Sequence, residues 1–285
     1  MESSVETSLL DTVGDVEHES FAVVGGRDPA ATRTSRFRAA KVWLALPAYN
    51  EEESLPHLLE RVGEAFADSG IPYEVIVVDD GSRDATASIA EDMAFQMPVR
   101  LVRHEVNQGL GRTLRDALIE ALRHAADGDI IVTMDADNTH PPGLISRMVQ
   151  MIGEGCDVVI ASRFQAGARV IGVPFDRQLL SVGARLVFTL LFPTKGVRDY
   201  TCGFRAYKAS VLRKAFDTHG PGFVGERGFS CMADVLLKLR QQRVIFGEAP
   251  LRLRYDQKGG LSKMKVLRTV WLTLKLVGRH RVRAR

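Results

Sequence analysis

The sequence is poor in cysteine and lacks long apolar runs, and each shortage excludes a class of protein. Cys156, Cys202 and Cys231 are the three cysteines among 285 residues. An odd, scattered set does not build a disulfide framework and is typical of reduced thiols in the cytosol. No stretch of about 18 uninterrupted apolar residues occurs, so we predict no transmembrane helix. The first residues lack a basic segment followed by an apolar one, so we predict no signal peptide.

The net charge of +3 is small, but the charges are unevenly distributed. Acidic residues dominate Met1–Ser20, whereas Asp256 is the only acid between Leu251 and Arg285. A basic end of this kind indicates an anionic partner, either a membrane surface or a nucleic acid. Trp271 is the only aromatic residue beyond position 263, so binding of single strands by base stacking is disfavoured. We therefore predict no nucleic-acid partner.

Composition divides the chain into three parts. Residues 1–38 are polar with little periodicity, which predicts a disordered leader. Residues 39–263 carry the patterns of a globular domain. Residues 264–285 place apolar side chains at helical spacing between basic ones, which predicts a basic amphipathic helix. This helix either anchors to a membrane surface or packs on the core.

Strand and helix patterns alternate in the globular domain. The predicted strands are Lys41–Leu46, Tyr73–Val78, Val99–Arg103, Ile130–Met134 and Val158–Ala161. The predicted helices between them are one after Ser54, Thr86–Met93 and Thr113–His124. The alternation predicts an α/β fold with a mostly parallel sheet covered by helices. No GxGxxG turn follows a strand, so a dinucleotide site of the Rossmann type is not predicted.

Polar residues gather where three of the predicted strands end, at Pro47–Glu51, Asp79–Ser82 and Asp135–Asp137. Ligands of such sheets bind outside the carboxyl ends of the strands, so we predict one site there. Two carboxylates one residue apart are costly to bury unpaired. Mg²⁺ and Mn²⁺ prefer such oxygen ligands together with substrate phosphates. The triplet by itself leaves a solvated turn before a helix as the alternative.

These clusters, which read PAYNE, VDDGS and DAD, together resemble the motifs of family 2 glycosyltransferases of the GT-A fold. The resemblance continues through Ala161–Phe164, Asp199–Arg205 and Gly260–Lys263. That set is similar to the dolichol-phosphate mannosyltransferase branch and its bacterial polyprenyl-phosphate relatives. The resemblance runs from about Val42 to Lys265. It implies a GT-A domain with a donor half up to about residue 163 and an acceptor half after it.

The resemblance also implies a role for each matching position on the donor side. The base and ribose would be held by Pro47, Tyr49, Glu51, Val78 and Asp80. Mg²⁺ or Mn²⁺ would be held by Asp135 and Asp137, with Asp137 counted as catalytic. The backbone of Ala136 would contact the nucleotide sugar, and Lys263 would close a loop over the phosphates.

On the acceptor side, the resemblance implies that Arg163 is catalytic and reaches both the diphosphate and an acceptor phosphate. Arg177 and Ser181 would bind that acceptor phosphate. The branch usually has Gln where this chain has Thr139, and Arg where it has Gln257. These two departures leave the sugar and the nucleotide open, with GDP-mannose and UDP-glucose as the candidate donors.

The residue chemistry favours an anionic acceptor. A phosphate monoester is largely dianionic near pH 7 and needs basic residues to position it, whereas a hydroxyl needs a general base. Residues 163–185 contain four arginines and one acid. We therefore predict metal-dependent, inverting transfer of a hexose, mannose or glucose, to a polyprenyl phosphate.

Two other functions stay open. One is a family 2 enzyme acting on a soluble hydroxyl acceptor, with Glu226 of the glycine-rich Gly220–Gly228 loop as the base. The other is a noncatalytic binding protein that uses the same pocket.

A lipid acceptor requires a membrane, and one further segment bears on this. Leu179–Phe192 is apolar with sparse charge, which predicts either an interfacial helix beside the site or an ordinary core helix. With the basic C-terminal helix, it leads us to expect a cytoplasmic enzyme held peripherally at the cytoplasmic membrane face. His140 follows the acidic triplet, and we expect a cap or turn role for it.

Overall fold

The computed structural model describes residues 40–226 and 228–257, together with residues 275 and 278. The predicted leader, Lys263 and nearly all of the predicted C-terminal helix lie outside the described residues. The described strands are β1 (Val42–Ala48), β2 (Tyr73–Asp79), β3 (Val99–Arg103), β4 (Ile130–Thr133), β5 (Val158–Ser162), β6 (Arg169–Ile171), β7 (Arg205–Lys208), β8 (Phe246–Pro250) and β9 (Arg252–Arg254).

The described α-helices are α1 (Leu55–Ser69), α2 (Thr86–Met93), α3 (Leu110–His124), α4 (Leu144–Gly153), α5 (Phe175–Leu191), α6 (Ala209–His219) and α7 (Cys231–Arg240). Three short 3₁₀ helices cover Gly220–Val224, Gly228–Ser230 and Tyr255–Gln257. None of the described helices combines the length and the hydropathy that crossing a bilayer requires.

Seven strands form the main sheet in the order β3-β2-β1-β4-β7-β5-β8. Neighbours pair in parallel, except that β7 runs antiparallel to both β4 and β5. A separate ribbon pairs β6 with β9 in parallel. The predicted α/β fold with a mostly parallel sheet is confirmed. The antiparallel β7, which joins the two halves of the sheet, was not among the predicted strands.

The core lies between the sheet and the helices on its faces. β4 and β5 are buried at every position, as expected for strands covered on both sides. The predicted face of α1 is confirmed, because Leu55, Leu58, Leu59 and Val62 are all fully buried.

β1 runs two residues further than predicted and includes Pro47, which we expected to end it. The oxygen of Ala45 accepts a bond from the Met134 nitrogen on the β4 side. Pro47 lies two residues on, so its nitrogen faces the same side. The last β1–β4 pair is Ala45 with Thr133, so that side has no further ladder bond to lose. A proline is tolerated in a strand at such a position.

α5 contains the apolar segment for which both a core and an interfacial helix were predicted. Phe188 and Phe192 are buried against the core. The opposite face exposes a row of large apolar side chains, Phe175, Leu179, Val182, Leu186 and Leu190. Their spacing of three or four residues places them along one side of the helix. The helix therefore joins the core along one face and presents an apolar face outward along the other.

Gly81, in the loop after β2, permits a close approach between two loops. Its φ of 69° is in the left-handed region, and a Cβ there would lie 2.7 Å from the carbonyl carbon of Val106. We expect Gly81→Ala to lower the free energy of unfolding by about 2 to 4 kcal/mol, from backbone strain plus the clash. Denaturation by urea measures this change.

Gly63→Ala is the matched control for this substitution. Gly63 is inside α1, and a Cβ there meets nothing within 4 Å. We expect it to raise the free energy of unfolding by about 0.5 to 1 kcal/mol. Equal stability of the two variants would contradict the assigned role of Gly81.

The cysteines are free thiols, as predicted. Burial raises the pKa of Cys202 and of Cys231 to about 12 in each case. Cys156 is only half-buried, although burial raises its pKa as well. We expect iodoacetamide at pH 8 to label Cys156 alone in the folded protein, because a thiol with a pKa of 12 is only about one part in ten thousand thiolate at that pH.

Mass spectrometry of the peptides measures the labelling, and the same reaction in urea should label all three thiols. Rapid labelling of Cys202 in the folded protein would contradict its burial.

Candidate active site

Three loops meet where the parallel strands β1, β2 and β4 end, as the sequence predicted. The Asp80 nitrogen donates to the Ala48 oxygen over 2.8 Å, which joins the first two loops at their bases. Pro47, Tyr49 and Glu51 are half-buried at this edge. Val78 is fully buried, so its side chain packs in the core beneath the loops. The nucleotide-binding roles implied for these residues stay predictions.

The first two loops are held together by hydrogen bonds that center on Asn50. Its nitrogen donates to Ser82 Oγ over 2.8 Å, and its Oδ1 accepts from the Arg83 nitrogen over 2.9 Å. The Glu51 nitrogen donates to Thr86 Oγ1 over 2.8 Å. Asn50 has a φ of 51°, a conformation that asparagine tolerates better than most residues. The loop that carries Tyr49 and Glu51 is therefore positioned by the loop after β2.

The carboxylate of Asp80 organises the turn after β3. Its Oδ1 accepts from the Gln108 nitrogen and its Oδ2 from the Gly109 nitrogen, both over 2.8 Å. His104 Nδ1 lies 2.8 Å from Asp80 Oδ1, and its Nε2 lies 3.2 Å from Asp116 on α3. Asp80 therefore fixes a neighbouring loop, whatever it contributes to a ligand. Sequence reasoning did not identify His104, because no motif includes it.

Asp135 and Asp137 form the acidic loop after β4, residues 135–139. Both are half-buried, and Ala136 between them is buried. Asp137 Oδ1 accepts from Thr139 Oγ1 over 2.7 Å. Asp135 Oδ1 lies close to Gly203, since a Cβ there would be 3.3 Å from that oxygen. The loop thus turns back on itself and lies beside the segment that leads into β7.

The acidic loop suits a cation that shares its ligands with a substrate. Among the described residues no group of three or more His, Cys, Asp or Glu side chains is arranged to hold a metal. The acidic loop itself offers two carboxylates, those of Asp135 and Asp137. Mg²⁺ is commonly held in this way, by one or two carboxylates plus water and phosphate oxygens. His140 is buried in a bend and packs on Phe204 with ring centroids 5.3 Å apart. The residue that caps α4 is Gly143, so of the predicted cap or turn role only the cap is wrong.

Arg163, which directly follows β5, is fixed in place by Asp199. Its Nε and Nη2 donate to the two carboxylate oxygens over 2.8 and 2.7 Å. Nη2 also donates to Thr201 Oγ1, and Nη1 donates to Ser181 Oγ on α5 over 3.0 Å. The guanidinium is thus held on several sides and faces α5.

The electrostatics of this pair favour a permanent positive charge. Burial acts to lower the pKa of Arg163, but the charge of Asp199 outweighs it and the pKa is raised. The charge of Asp135 acts in the same direction, which places Arg163 within electrostatic reach of the acidic loop. Burial acts to raise the pKa of Asp199, but the charge and hydrogen bonds of Arg163 hold that pKa low.

Arg177 and Ser181 lie one turn apart on α5, both half-buried. Ser181 contacts Arg163, as described above, while Arg177 Nη1 donates to Tyr255 Oη over 2.7 Å. The Arg177 guanidinium carbon also lies 5.7 Å from the center of the Tyr255 ring. The structure therefore brings Ser181 to Arg163 and gives Arg177 a partner of its own. Lys263 is outside the described residues.

The glycine-rich segment, which we predicted to be a loop, begins with a short helix. Gly220–Val224 is a 3₁₀ helix with Phe223 and Val224 buried. Lys238 Nζ on α7 donates to the oxygens of Gly222 and Phe223. Glu226, named as the base of the hydroxyl-acceptor alternative, is buried. The sequence of a glycine-rich segment does not show whether a lysine distant in the chain binds its backbone oxygens, as Lys238 does here.

Besides His104, sequence reasoning missed two residues around Arg163 and Arg177. Asp199 lies inside the Asp199–Arg205 motif, but nothing in that motif shows that its carboxylate points to Arg163, 36 positions earlier. Tyr255 belongs to no motif, so the sequence contains no signal for it.

Comparison with known proteins supports the family resemblance that the sequence motifs indicated. The family described as Glycosyl transferase family 2 matches residues 43–216. The dolichol-phosphate mannosyltransferase of Pyrococcus furiosus is 32% identical over 244 residues, which are 84% of this chain and 65% of that protein. The chain thus spans less than two thirds of that relative. The polyprenol monophosphomannose synthase of Mycolicibacterium smegmatis is 32% identical over 241 residues, 84% of this chain and 85% of that protein.

A similar fold occurs in glucosyl-3-phosphoglycerate synthase from Mycobacterium tuberculosis, whose crystal structure contains Mn²⁺, uridine diphosphate and glucosyl-3-phosphoglycerate. The TM-score is 0.58 at 21% identity, over 84% of this chain and 78% of that one. Because the family match covers β1, β2, β4 and the loops that follow them, the chain belongs to glycosyltransferase family 2 and is a glycosyltransferase.

Proposed function

We propose that this enzyme transfers a hexose from a nucleoside-diphosphate sugar to a polyprenyl phosphate, with inversion at the anomeric carbon. The observation that carries the proposal is the arrangement around α5. The helix brings Ser181 to the fixed Arg163 and carries Arg177 one turn earlier, and along another face it exposes five apolar side chains. A phosphate head with an apolar tail fits such a helix. The names of the two relatives with 32% identity, which specify dolichol phosphate and polyprenol, support the same acceptor class.

The donor is assigned to the three loops at the carboxyl ends of β1, β2 and β4. Tyr49 and Glu51 lie at the half-buried edge where a base and ribose would bind. Asp135 and Asp137 would hold Mg²⁺ or Mn²⁺ beside the diphosphate. When bound, the cation would stabilise the charge that develops on the leaving nucleoside diphosphate. The candidate donors are GDP-mannose and UDP-glucose.

The acceptor is assigned to Arg163, Arg177 and Ser181. A phosphate monoester is already dianionic near pH 7, so it requires cations that orient it and no base. Arg163 is suited to this role because Asp199 and Thr201 fix its guanidinium before any ligand arrives. Its Nη1 is directed at Ser181, so a phosphate beside Ser181 contacts a preorganised charge. A single direct displacement by this phosphate inverts the anomeric center.

The hydroxyl-acceptor alternative requires a general base near the same cluster. Asp199 is the carboxylate in contact with Arg163, and its low pKa and its ion pair make it a poor base. Glu226 is buried. Neither carboxylate favours this alternative over the phosphate acceptor.

We expect the purified protein to form a lipid-linked hexose from a short-chain polyprenyl phosphate and either GDP-mannose or UDP-glucose, with Mn²⁺ or Mg²⁺. Asp137→Ala should lower the rate at least a thousandfold, because it removes one of the two cation ligands. Radiolabelled donor and extraction of the lipid product measure the transfer.

Asp92→Ala, which removes an exposed carboxylate from α2, is the matched control and should retain the wild-type rate. Transfer that persists in Asp137→Ala or in the presence of excess chelator would overturn the metal role. Binding of donor without transfer to the lipid phosphate would overturn the proposed acceptor and favour a hydroxyl.

The exposed face of α5 is assigned to the membrane surface. Fully burying one leucine side chain is worth about 1.5 to 3 kcal/mol, and insertion of a helix face into an interface recovers part of this. We therefore expect the double variant Leu186→Ser, Leu190→Ser to bind vesicles with 20% anionic lipid at least tenfold more weakly than wild type. Co-sedimentation of protein and vesicles measures the affinity.

Phe95→Ser is the control, because Phe95 is 90% exposed and belongs to no such row. It should leave vesicle binding unchanged. Equal loss in the control and in the α5 variant would show that exposed apolar residues act generally and that α5 has no special role.

A further inference from the structure

The short turn Tyr255–Gln257, which directly follows β9, contacts both the donor side and the acceptor side of the site. It is joined to α5 directly by the bond between Arg177 and Tyr255, and to the acidic loop through Arg61 of α1. Gly172 packs tightly under it, since a Cβ there would lie 2.9 Å from the Asp256 nitrogen. The turn is thus fixed in place from below as well as from both sides.

Two connections join the acidic loop to the turn and to the end of β9 that precedes it. The Arg254 nitrogen donates to the Thr139 oxygen over 3.0 Å, although β9 belongs to a different sheet. Arg61 on α1 forms the second connection, because its Nη1 lies 3.3 Å from Gln257 Oε1 and 2.7 Å from Asn138 Oδ1. Arg61 therefore bridges the acidic loop to the turn.

Asn138 is the residue in the acidic loop that this bridge restrains. It has a φ of 59° and is buried. Left-handed backbone in a residue other than glycine persists where its surroundings hold it. Asn138 directly follows Asp137, so the bond from Arg61 helps to set the direction of that carboxylate.

The connection to the acceptor side is Tyr255. Its hydroxyl accepts the hydrogen bond from Arg177, and its ring lies beside the same guanidinium. The two contacts leave the arginine little freedom to turn away from α5. A shift of the turn would therefore move the guanidinium of Arg177, which is assigned to the acceptor phosphate.

We propose that Arg61 and Tyr255 are positioning residues that couple the two binding events through the turn Tyr255–Gln257. Binding of a nucleoside diphosphate with its cation orders the acidic loop, and Thr139, Asn138 and Arg61 transmit this order to the turn. The turn then holds Arg177 ready for the acceptor phosphate. Coupling of this kind is reciprocal, so the acceptor phosphate also tightens nucleotide binding. The assignment of the two ligands rests on the proposed function.

The test measures the dissociation constant of GDP and of UDP with Mn²⁺, without and with a saturating short-chain polyprenyl phosphate. For the nucleotide that binds, we expect the acceptor to tighten wild-type binding about 5- to 20-fold, within the range usual for coupled sites. Tyr255→Phe and Arg61→Gln should bind the nucleotide alone within about threefold of wild type. Each should reduce the tightening to less than twofold.

Three comparisons separate positioning from general damage. Tyr255→Phe keeps the ring beside Arg177 and removes only the hydroxyl. Arg61→Lys keeps a cation and should regain part of the tightening. Arg123→Gln removes an exposed arginine at the far end of α3 and should behave as wild type. In steady-state transfer, Tyr255→Phe should raise the acceptor KM at least fivefold and change kcat less.

Full tightening in both Tyr255→Phe and Arg61→Gln would overturn the proposal, and so would a wild type that shows no tightening at all. The outcome is distinct from that of the proposed function. A wild type that forms the lipid-linked hexose without any tightening overturns the coupling alone. A wild type that shows the tightening without transfer overturns the proposed reaction and leaves the coupling in place.

Discussion

The ion pair between Arg163 and Asp199 is the interaction on which the proposed acceptor side of this enzyme depends. It joins the end of β5 to the segment before β7, and through Ser181 it joins both to α5. Burying two charges costs several kcal/mol per ion unless each group finds further partners. Here Asp199 also accepts a hydrogen bond from the backbone nitrogen of Cys202 over 3.0 Å. The Arg163 guanidinium also donates a hydrogen bond to Thr201 Oγ1.

A second carboxylate supports this pair from the edge of the sheet. Glu248 on β8 accepts hydrogen bonds from the backbone nitrogens of Arg198 and Asp199, over 2.6 and 2.7 Å. Negative charge that is fixed by backbone donors does not need to reorganise when a ligand arrives. The result is a chain of contacts from the edge strand to Ser181 in which each group holds the next. The charge at Arg163 is therefore permanent and well oriented.

The parts of the structure that follow from local pattern were predictable from the sequence. The limits of β3 and α2 agree with the prediction, and the three loops meet because parallel strands end at one edge. Pro47 shows where this reasoning fails. Whether a proline ends a strand depends on what lies beside it, and the sequence around Pro47 does not say that β4 has already ended there.

The missed contacts have a common physical origin. Arg61 meets Gln257 across 196 positions, and Arg177 meets Tyr255 across 78. No spacing rule predicts such pairs, since they depend on how whole elements pack. For the same reason the sequence did not decide between a core helix and an interfacial helix for α5. An apolar helix face has the same sequence whether a neighbour covers it or not. The roles implied by the family resemblance, including that of Lys263, stay predictions.

The antiparallel β7 has a consequence for how the chain is made. Thr133 of β4 pairs with Arg205, 72 positions later, so a ribosome has completed the adjacent strands β3, β2, β1 and β4 well before β7 appears. Until then, one edge of β4 is open to other nascent chains, and open edges promote aggregation. β4 is only four residues long, and Asp135 and Asp137 follow it closely. Both a short strand and nearby charge weaken pairing at a sheet edge. The short length of β4 and the charges beside it therefore make this temporarily open edge a poor partner for another strand.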